Sequence, residues 1–157
     1  MSTEGAGVKS IGVSNFGVGQ LEGLRKAGLP TPAVNQIELH PWFQQHETLE
    51  YCKAHGIVVT AYCPLARCKK LVDASDPEAV KSSIVAQVAE KYGKTQAQIC
   101  IRWVLQMGAV CIPKSSNPDR IKQNADVFSW KISDEDMDLL ATCDETFYAF
   151  NASKAML

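Results

Sequence analysis

Four short apolar segments constrain what this chain can fold into. Val8 to Ser14 (VKSIGVS), Ala33 to Leu39 (AVNQIEL), Ile57 to Tyr62 (IVVTAY) and Ala109 to Ile112 (AVCI) are rich in β-branched residues and bounded by turn residues. Runs of that kind read as strands buried on both faces, as in a parallel sheet. The segments between them have a helical period and legible ends. Leu21, Leu24 and Ala27 recur at three-residue spacing before Gly28 and Pro30, and Leu49 and Cys52 precede Gly56. Asp76-Pro77 predicts an N-cap with proline at the first helical position, followed by one apolar stripe through Ile84, Val85, Val88, Ala89 and Tyr92 that stops at Gly93. Thr95 with Gln98 and Ser133 with Asp136 have capping-box spacing, and Asn117-Pro118 opens a further helix.

Regular alternation of strand and helix implies a parallel sheet covered by helices, either doubly wound or part of a (β/α) barrel. A length of 157 residues is enough for one core. It falls short of the ~250 residues that a closed barrel of eight strand-helix units needs. With 46% hydrophobic residues, and 16 Lys and Arg against 17 Asp and Glu, the composition is that of a globular protein. The formal net charge of −1 disfavours nucleic-acid or membrane-surface binding by bulk charge. Met1 to Gly5 has neither the basic region nor the apolar core of a signal peptide, so a cytoplasmic protein is expected. The six cysteines lie in apolar segments without Cys-x-x-Cys, and His40, His46 and His55 have no zinc-site spacing. Reduced thiols and no metal centre are expected.

In either architecture ligands bind beyond the carboxyl ends of the strands. The first strand runs into Ser14-Asn15-Phe16. The second carries Asn35, Gln36 and Glu38 before His40-Pro41-Trp42, the third ends in Tyr62-Cys63-Pro64-Leu65, and the fourth in Pro113-Lys114-Ser115. Amides, a flat ring and cations on one rim are the set a dinucleotide would use. Neither Gly-x-Gly-x-x-Gly nor a P-loop occurs, so a nucleotide here is not bound in those fashions. Ile112 to Asn124 is the strongest local signal. It puts Lys114 at a strand end, Arg120 in the first turn of the next helix, where N–H groups also favour an anion, and Asn124 on the same helical side as Arg120. Taken singly, Ser14-Asn15 reads as a turn, Gln36 and Glu38 as partners of backbone groups, and Tyr62 as core. His40 before Pro41 reads as holding a turn, Trp103 as core and Trp42 as a possible pocket wall.

The motifs Lys9 to Phe16, Asn35 to Pro41 (NQIELHP), Ala61 to Leu65 (AYCPL) and Lys114 to Asn124 together resemble those of the aldo-keto reductases, in order and spacing, over nearly the whole chain. The resemblance implies an α/β fold of the (β/α)8 TIM-barrel family. Residues 1–157 would then be an incomplete barrel, the C-terminal part of the domain, with strands 5 to 8 and their helices. It implies NADPH as cofactor and reduction of aldehydes or ketones. By the same resemblance Ser14, Asn15 and Gln36 hold the nicotinamide carboxamide and Tyr62 stacks on the ring. Cys63 and Leu65 lie along the pyrophosphate, Lys114, Ser115 and Arg120 clamp the 2′-phosphate, and Gln123 and Asn124 face the adenine. Cys63 stands where Ser is common and Gln123 where Glu is common, which weakens two contacts.

The family's tyrosine acid, with its lysine, aspartate and histidine, comes from strands one to four, and no catalytic residue is assigned here. Two readings follow. The chain is the C-terminal part of a reductase, inactive alone, or it is a non-catalytic nucleotide-binding or interaction module that pairs with another half-barrel. Open sheet edges predict self-association. The substrate is a small carbonyl compound, and the tail Phe147 to Asn151 is aromatic enough to line its pocket.

Overall fold

A computed structural model of the chain describes residues 7–149. Met1 to Gly5, and the tail residues Phe150 and Asn151, lie outside them. Along the chain come β1 (Gly12–Ser14), α1 (Val18–Lys26), β2 (Val34–Glu38), α2 (His46–Ala54), β3 (Val58–Tyr62) and a 3-10 turn (Ala66–Cys68). They are followed by α3 (Pro77–Lys81), α4 (Ile84–Tyr92), α5 (Gln96–Gln106), β4 (Val110–Cys111), α6 (Pro118–Ala125) and α7 (Asp134–Ala141). The strands form one four-stranded sheet in the order β1-β2-β3-β4, with every pair parallel. All four expected strands are present, but the outer two are shorter than the sequence suggests. Three residues of β1 and two of β4 are in the ladder, because each has a neighbour on one side only.

The sheet also departs from the expectation of burial on both faces. Asn35, Ile37, Val59 and Ala61 point to the helices and are buried. Their alternates Val34, Gln36, Thr60 and Tyr62 are half-buried and Val58 is exposed. Side chains alternate across a strand, and the register sets Gly12, Val34 and Val58 in one row and Ser14, Gln36, Thr60 and Val110 in the next. Apolar content on both faces is therefore present in the sequence, whereas helices cover one face.

The covered face holds the core: Leu21, Ile37, Leu39, Val59, Ala61, Val85, Val88, Ile99, Trp103, Val104 and Leu140 belong to one buried cluster. Each fully buried aliphatic side chain contributes about 1.5–3 kcal/mol. Trp103 is core, as expected, and so is Trp42, which packs near His40 with ring centroids 6.0 Å apart rather than facing an open pocket. All six cysteines are free thiols. Burial raises the Cys143 thiol to about 11.

Helix ends follow local chemistry. Thr95 and Gln98 form the expected capping box, with Thr95 Oγ1 accepting from the Gln98 N–H at 3.1 Å and Gln98 Oε1 accepting from the Thr95 N–H at 3.0 Å. At α7 the box is half-formed. Ser133 Oγ accepts from the Asp136 N–H, while the Asp136 carboxylate turns to Lys91, Tyr92 and the Ser133 hydroxyl. The Ser133 N–H donates to Tyr92 Oη instead. The single helix expected from Asp76 to Gly93 is two, because Ser83 takes an extended backbone and caps α4 by accepting from the Ala86 N–H. Gly93 ends α4 in the left-handed region (φ 60°), where a side chain would be strained. Among the described residues no helix is long and apolar enough to cross a membrane.

Candidate functional site

The residues singled out in the sequence fall into two groups, both at the carboxyl side of the sheet. The first lies on the ends of β1, β2 and β3. Here the Gln36 carbonyl accepts two hydrogen bonds, from the Ser14 hydroxyl and from the Asn15 N–H, each at 2.9 Å. Asn15 sits in the left-handed region (φ 56°), which Asn tolerates better than most residues. Its Oδ1 accepts from the Tyr62 hydroxyl at 2.9 Å, leaving the amide NH₂ as its donor end. The next turn is fixed from below by buried Asn35, whose Nδ2 donates to the Phe16 carbonyl at 2.7 Å and whose Oδ1 accepts from the Phe16 N–H at 3.4 Å. Ser14, Asn15, Gln36 and Tyr62 thus form one hydrogen-bonded set.

The second group lines an open cleft of about 950 Å³ between the loop after β3, helices α3 to α5 and the start of α6. Its walls include Leu65, Lys114, Ser115, Arg120, Gln123 and Asn124. That size is at the upper end of small-molecule sites. Lys81 and Lys94 also reach the cleft, but Lys81 pairs with Glu78 at 2.8 Å and Lys94 with Asp126 at 2.9 Å. Lys114 and Arg120 form no ion pair among the described residues, so they are the cations there that an anionic ligand need not first detach from a carboxylate.

The first-turn N–H groups of α6 do not serve an anion as expected. Asn117 Oδ1 already accepts from the Asp119 N–H at 2.9 Å and from the Arg120 N–H at 3.1 Å.

Between the two groups, Cys63, Ala66, Arg67 and Cys68 all have positive φ (48°, 47°, 53° and 60°). This stretch bends sharply, so that Tyr62 belongs to the strand-end set while Leu65 lines the cleft. The Cys63 thiol is pushed up, mainly by burial and further by the Glu38 carboxylate, against the opposing pull of Arg67 and Lys69. It is therefore a weak, protonated donor rather than a thiolate.

Over residues 3–145 the chain matches the model of the aldo/keto reductase family. The chain belongs to the aldo-keto reductase family. It is 45% identical over 134 residues to aldo-keto reductase family 1 member D1 of rabbit (Oryctolagus cuniculus), covering 83% of this chain and 41% of that protein. It is 42% identical to the 9,11-endoperoxide prostaglandin H2 reductase of Trypanosoma cruzi over 83% of this chain and 44% of that one. Among solved structures, an aldo-keto reductase from a Medee basin deep-sea metagenome library superposes with a TM-score of 0.80 at 39% identity, covering 92% of this chain and 51% of that one. An aldo-keto reductase crystallised with NADPH superposes with a TM-score of 0.78 at 33% identity, over 91% of this chain and 44% of the other. The chain thus spans less than half the length of the two curated relatives. The family is a (β/α)8 barrel that uses NADPH or NADP and acts on small carbonyl compounds.

Two features of this aldo-keto reductase chain escape a reading of the sequence. Gln96 pins the cleft wall, with its Oε1 accepting from the Val72 N–H at 3.0 Å and its Nε2 donating to the Val72 carbonyl at 2.8 Å. Nothing in the sequence around Gln96 marks that contact. Buried Glu38 anchors the C-terminal segment: its Oε1 accepts from the Ala149 N–H at 2.6 Å and lies 3.1 Å from His40 Nε2. Its buried position was legible in the strand pattern, its partner 111 residues away was not. His40 also holds the turn expected of it, exchanging backbone hydrogen bonds with Phe43.

Proposed function

We propose that residues 1–157 are the C-terminal, cofactor-binding part of an aldo-keto reductase barrel, with the four strands corresponding to strands five to eight. The enzyme they belong to uses NADPH to reduce an aldehyde or ketone to an alcohol. The observation that carries this reading is the continuity of the two groups. A hydrogen-bonded amide and ring set at the strand ends leads, through the bend at Cys63 and Leu65, into a cleft presenting Lys114 and Arg120.

The residue chemistry fits the cofactor from end to end. Tyr62, its hydroxyl tied to Asn15, presents a ring on which a nicotinamide can stack, which fixes the face from which hydride leaves. Ser14 uses its proton on the Gln36 carbonyl and offers lone pairs to the carboxamide NH₂, while Asn15 offers its own NH₂ to the carboxamide oxygen and Gln36 completes the set. Leu65 and Cys63 lie along the pyrophosphate. Lys114 as a point charge and Arg120 as a planar fork clamp the 2′-phosphate with Ser115. Gln123 and Asn124, on the cleft side of α6, face the adenine. The cofactor supplies the hydride, and this chain supplies its binding and orientation.

Proton donation to the carbonyl requires an acid that this part of the barrel does not bring, so the chain by itself binds cofactor without turnover. The purified 157-residue chain is expected to show no steady NADPH oxidation with an aromatic aldehyde. Steady oxidation that disappears when Tyr62 or another residue of this set is replaced would contradict the proposal. The net charge of −1 supports an enzyme acting on a small molecule rather than on nucleic acid or a membrane surface.

A further inference from the structure

We infer that Lys69 and Lys70 are positioning residues that clasp the cleft-lining loop after β3 to the C-terminal segment 144–149, so that filling the cleft seats that segment.

The loop faces two ways. Leu65, Cys68, Leu71 and Val72 line the cleft. Lys69 and Lys70, between them, reach the other side. Lys69 Nζ donates to the Ala149 carbonyl at 3.2 Å, and Lys70 pairs with the Glu145 carboxylate while its Nζ lies 4.8 Å from the centre of the Phe147 ring. One short stretch of chain therefore touches both the ligand space and residues 75 to 80 positions further on.

The segment is pinned on its other side to the end of β2. The Trp42 carbonyl accepts from the Glu145 N–H at 3.2 Å and from the Phe147 N–H at 2.9 Å, and the left-handed backbone at Thr146 (φ 53°) turns both donors onto that one acceptor. The Ala149 N–H donates to the Glu38 carboxylate at 2.6 Å. Trp42 and Glu38 are both buried, so this side is fixed to the core. The segment thus bridges a rigid strand end and the loop that walls the cleft.

The loop itself is strained. Ala66, Arg67 and Cys68 follow one another in the left-handed region, which residues with a side chain enter at a cost and keep only where their surroundings fix them. Two fastenings do so: the lysine clasp on the segment side and Gln96, which holds Val72, on the cleft side. Release of either lets the turn relax, so loop and segment change together. A ligand that holds the cleft face of the loop holds Lys69 and Lys70 in place as well, and by linkage a seated segment favours the ligand by the same factor. NADPH is the ligand taken to fill the cleft, so the inference rests on the proposed function.

Amide exchange of the 157-residue chain, followed by NMR, tests it, with NADPH binding measured in parallel by calorimetry. At saturating NADPH the Phe147 and Ala149 amides should exchange about fivefold or more slowly. The Leu29 amide, bonded to the Leu24 carbonyl at the carboxyl end of α1, should not change. Lys70→Met keeps the stem and removes the charge. It should abolish the slowing, raise exchange at Phe147 about twofold to fivefold in the absence of ligand, and weaken NADPH binding. Lys70→Arg should behave as the parent does. If Lys70→Met fails to fold by circular dichroism, the ligand response of the parent and of Lys70→Arg decides the matter. NADPH binding that leaves Phe147 and Ala149 unchanged, that slows Leu29 equally, or that slows the two amides as much in Lys70→Met, overturns the inference and leaves the cofactor reading standing. Absence of NADPH binding overturns both.

Discussion

The Tyr62 hydroxyl donates to Asn15 Oδ1 at 2.9 Å, joining the ends of β3 and β1 across β2 and across 47 residues of sequence. It fixes the ring of Tyr62 and the orientation of the Asn15 amide in one contact. Tyr62→Phe keeps the ring and removes the tie. The expected cost is about 0.5–1.5 kcal/mol of stability, read as a lower urea midpoint, together with weaker NADPH binding. An unchanged midpoint and unchanged binding would show that the contact orders neither residue.

Asn117 caps α6 through the Asp119 and Arg120 N–H groups, and α6 carries Arg120, Gln123 and Asn124 on its cleft side. Asn117→Ala is expected to fray the first turn at a cost of about 1 kcal/mol. Arg120 then loses its fixed place, so NADPH affinity should fall more than NADH affinity in parallel titrations. Equal losses for both cofactors would separate the cap from phosphate binding.

Asp136 governs an acid-dependent part of the stability. Hydrogen bonds from Lys91, then Tyr92 and Ser133, hold its carboxyl below the usual 3.8. A carboxyl lowered in the folded state stabilises the fold fully above 3.8, and that contribution disappears as pH falls through the lowered value. Asp136→Asn should therefore be less stable than the parent at neutral pH. Its urea midpoint should also fall less steeply below about pH 4. Parallel curves for the two proteins would rule out Asp136 as the titrating group.

Much of this was legible in the sequence, for identifiable reasons. β-branched runs and turn residues mark strands through purely local preference, so Ile57 to Tyr62 reads correctly within one residue of β3. Thr95 and Gln98 satisfy each other within one turn, and a local pattern is enough to find them. The break between α3 and α4 was hidden because the apolar stripe continues through it, and the cap on Ser83 decides the matter. A β-branched run reads as buried on both faces, yet it shows which residues are apolar and not whether anything covers them, and here helices cover one face. Asn117-Pro118 reads as a helix start, yet the occupation of the first-turn donors by Asn117 depends on a rotamer that a sequence does not carry. Long-range ties such as Glu38 to Ala149 and Gln96 to Val72 have no local signature at all.

Lys114 and Arg120 are proposed to hold the phosphate-bearing end of NADPH, and a pair of titrations tests this. Calorimetric binding of NADPH and of NADH to the 157-residue chain should show a clear preference for NADPH. Lys114→Ala with Arg120→Ala should abolish that preference and leave NADH binding nearly unchanged. Equal affinity of the unaltered chain for the two cofactors, or a preference that survives the double substitution, would contradict the account.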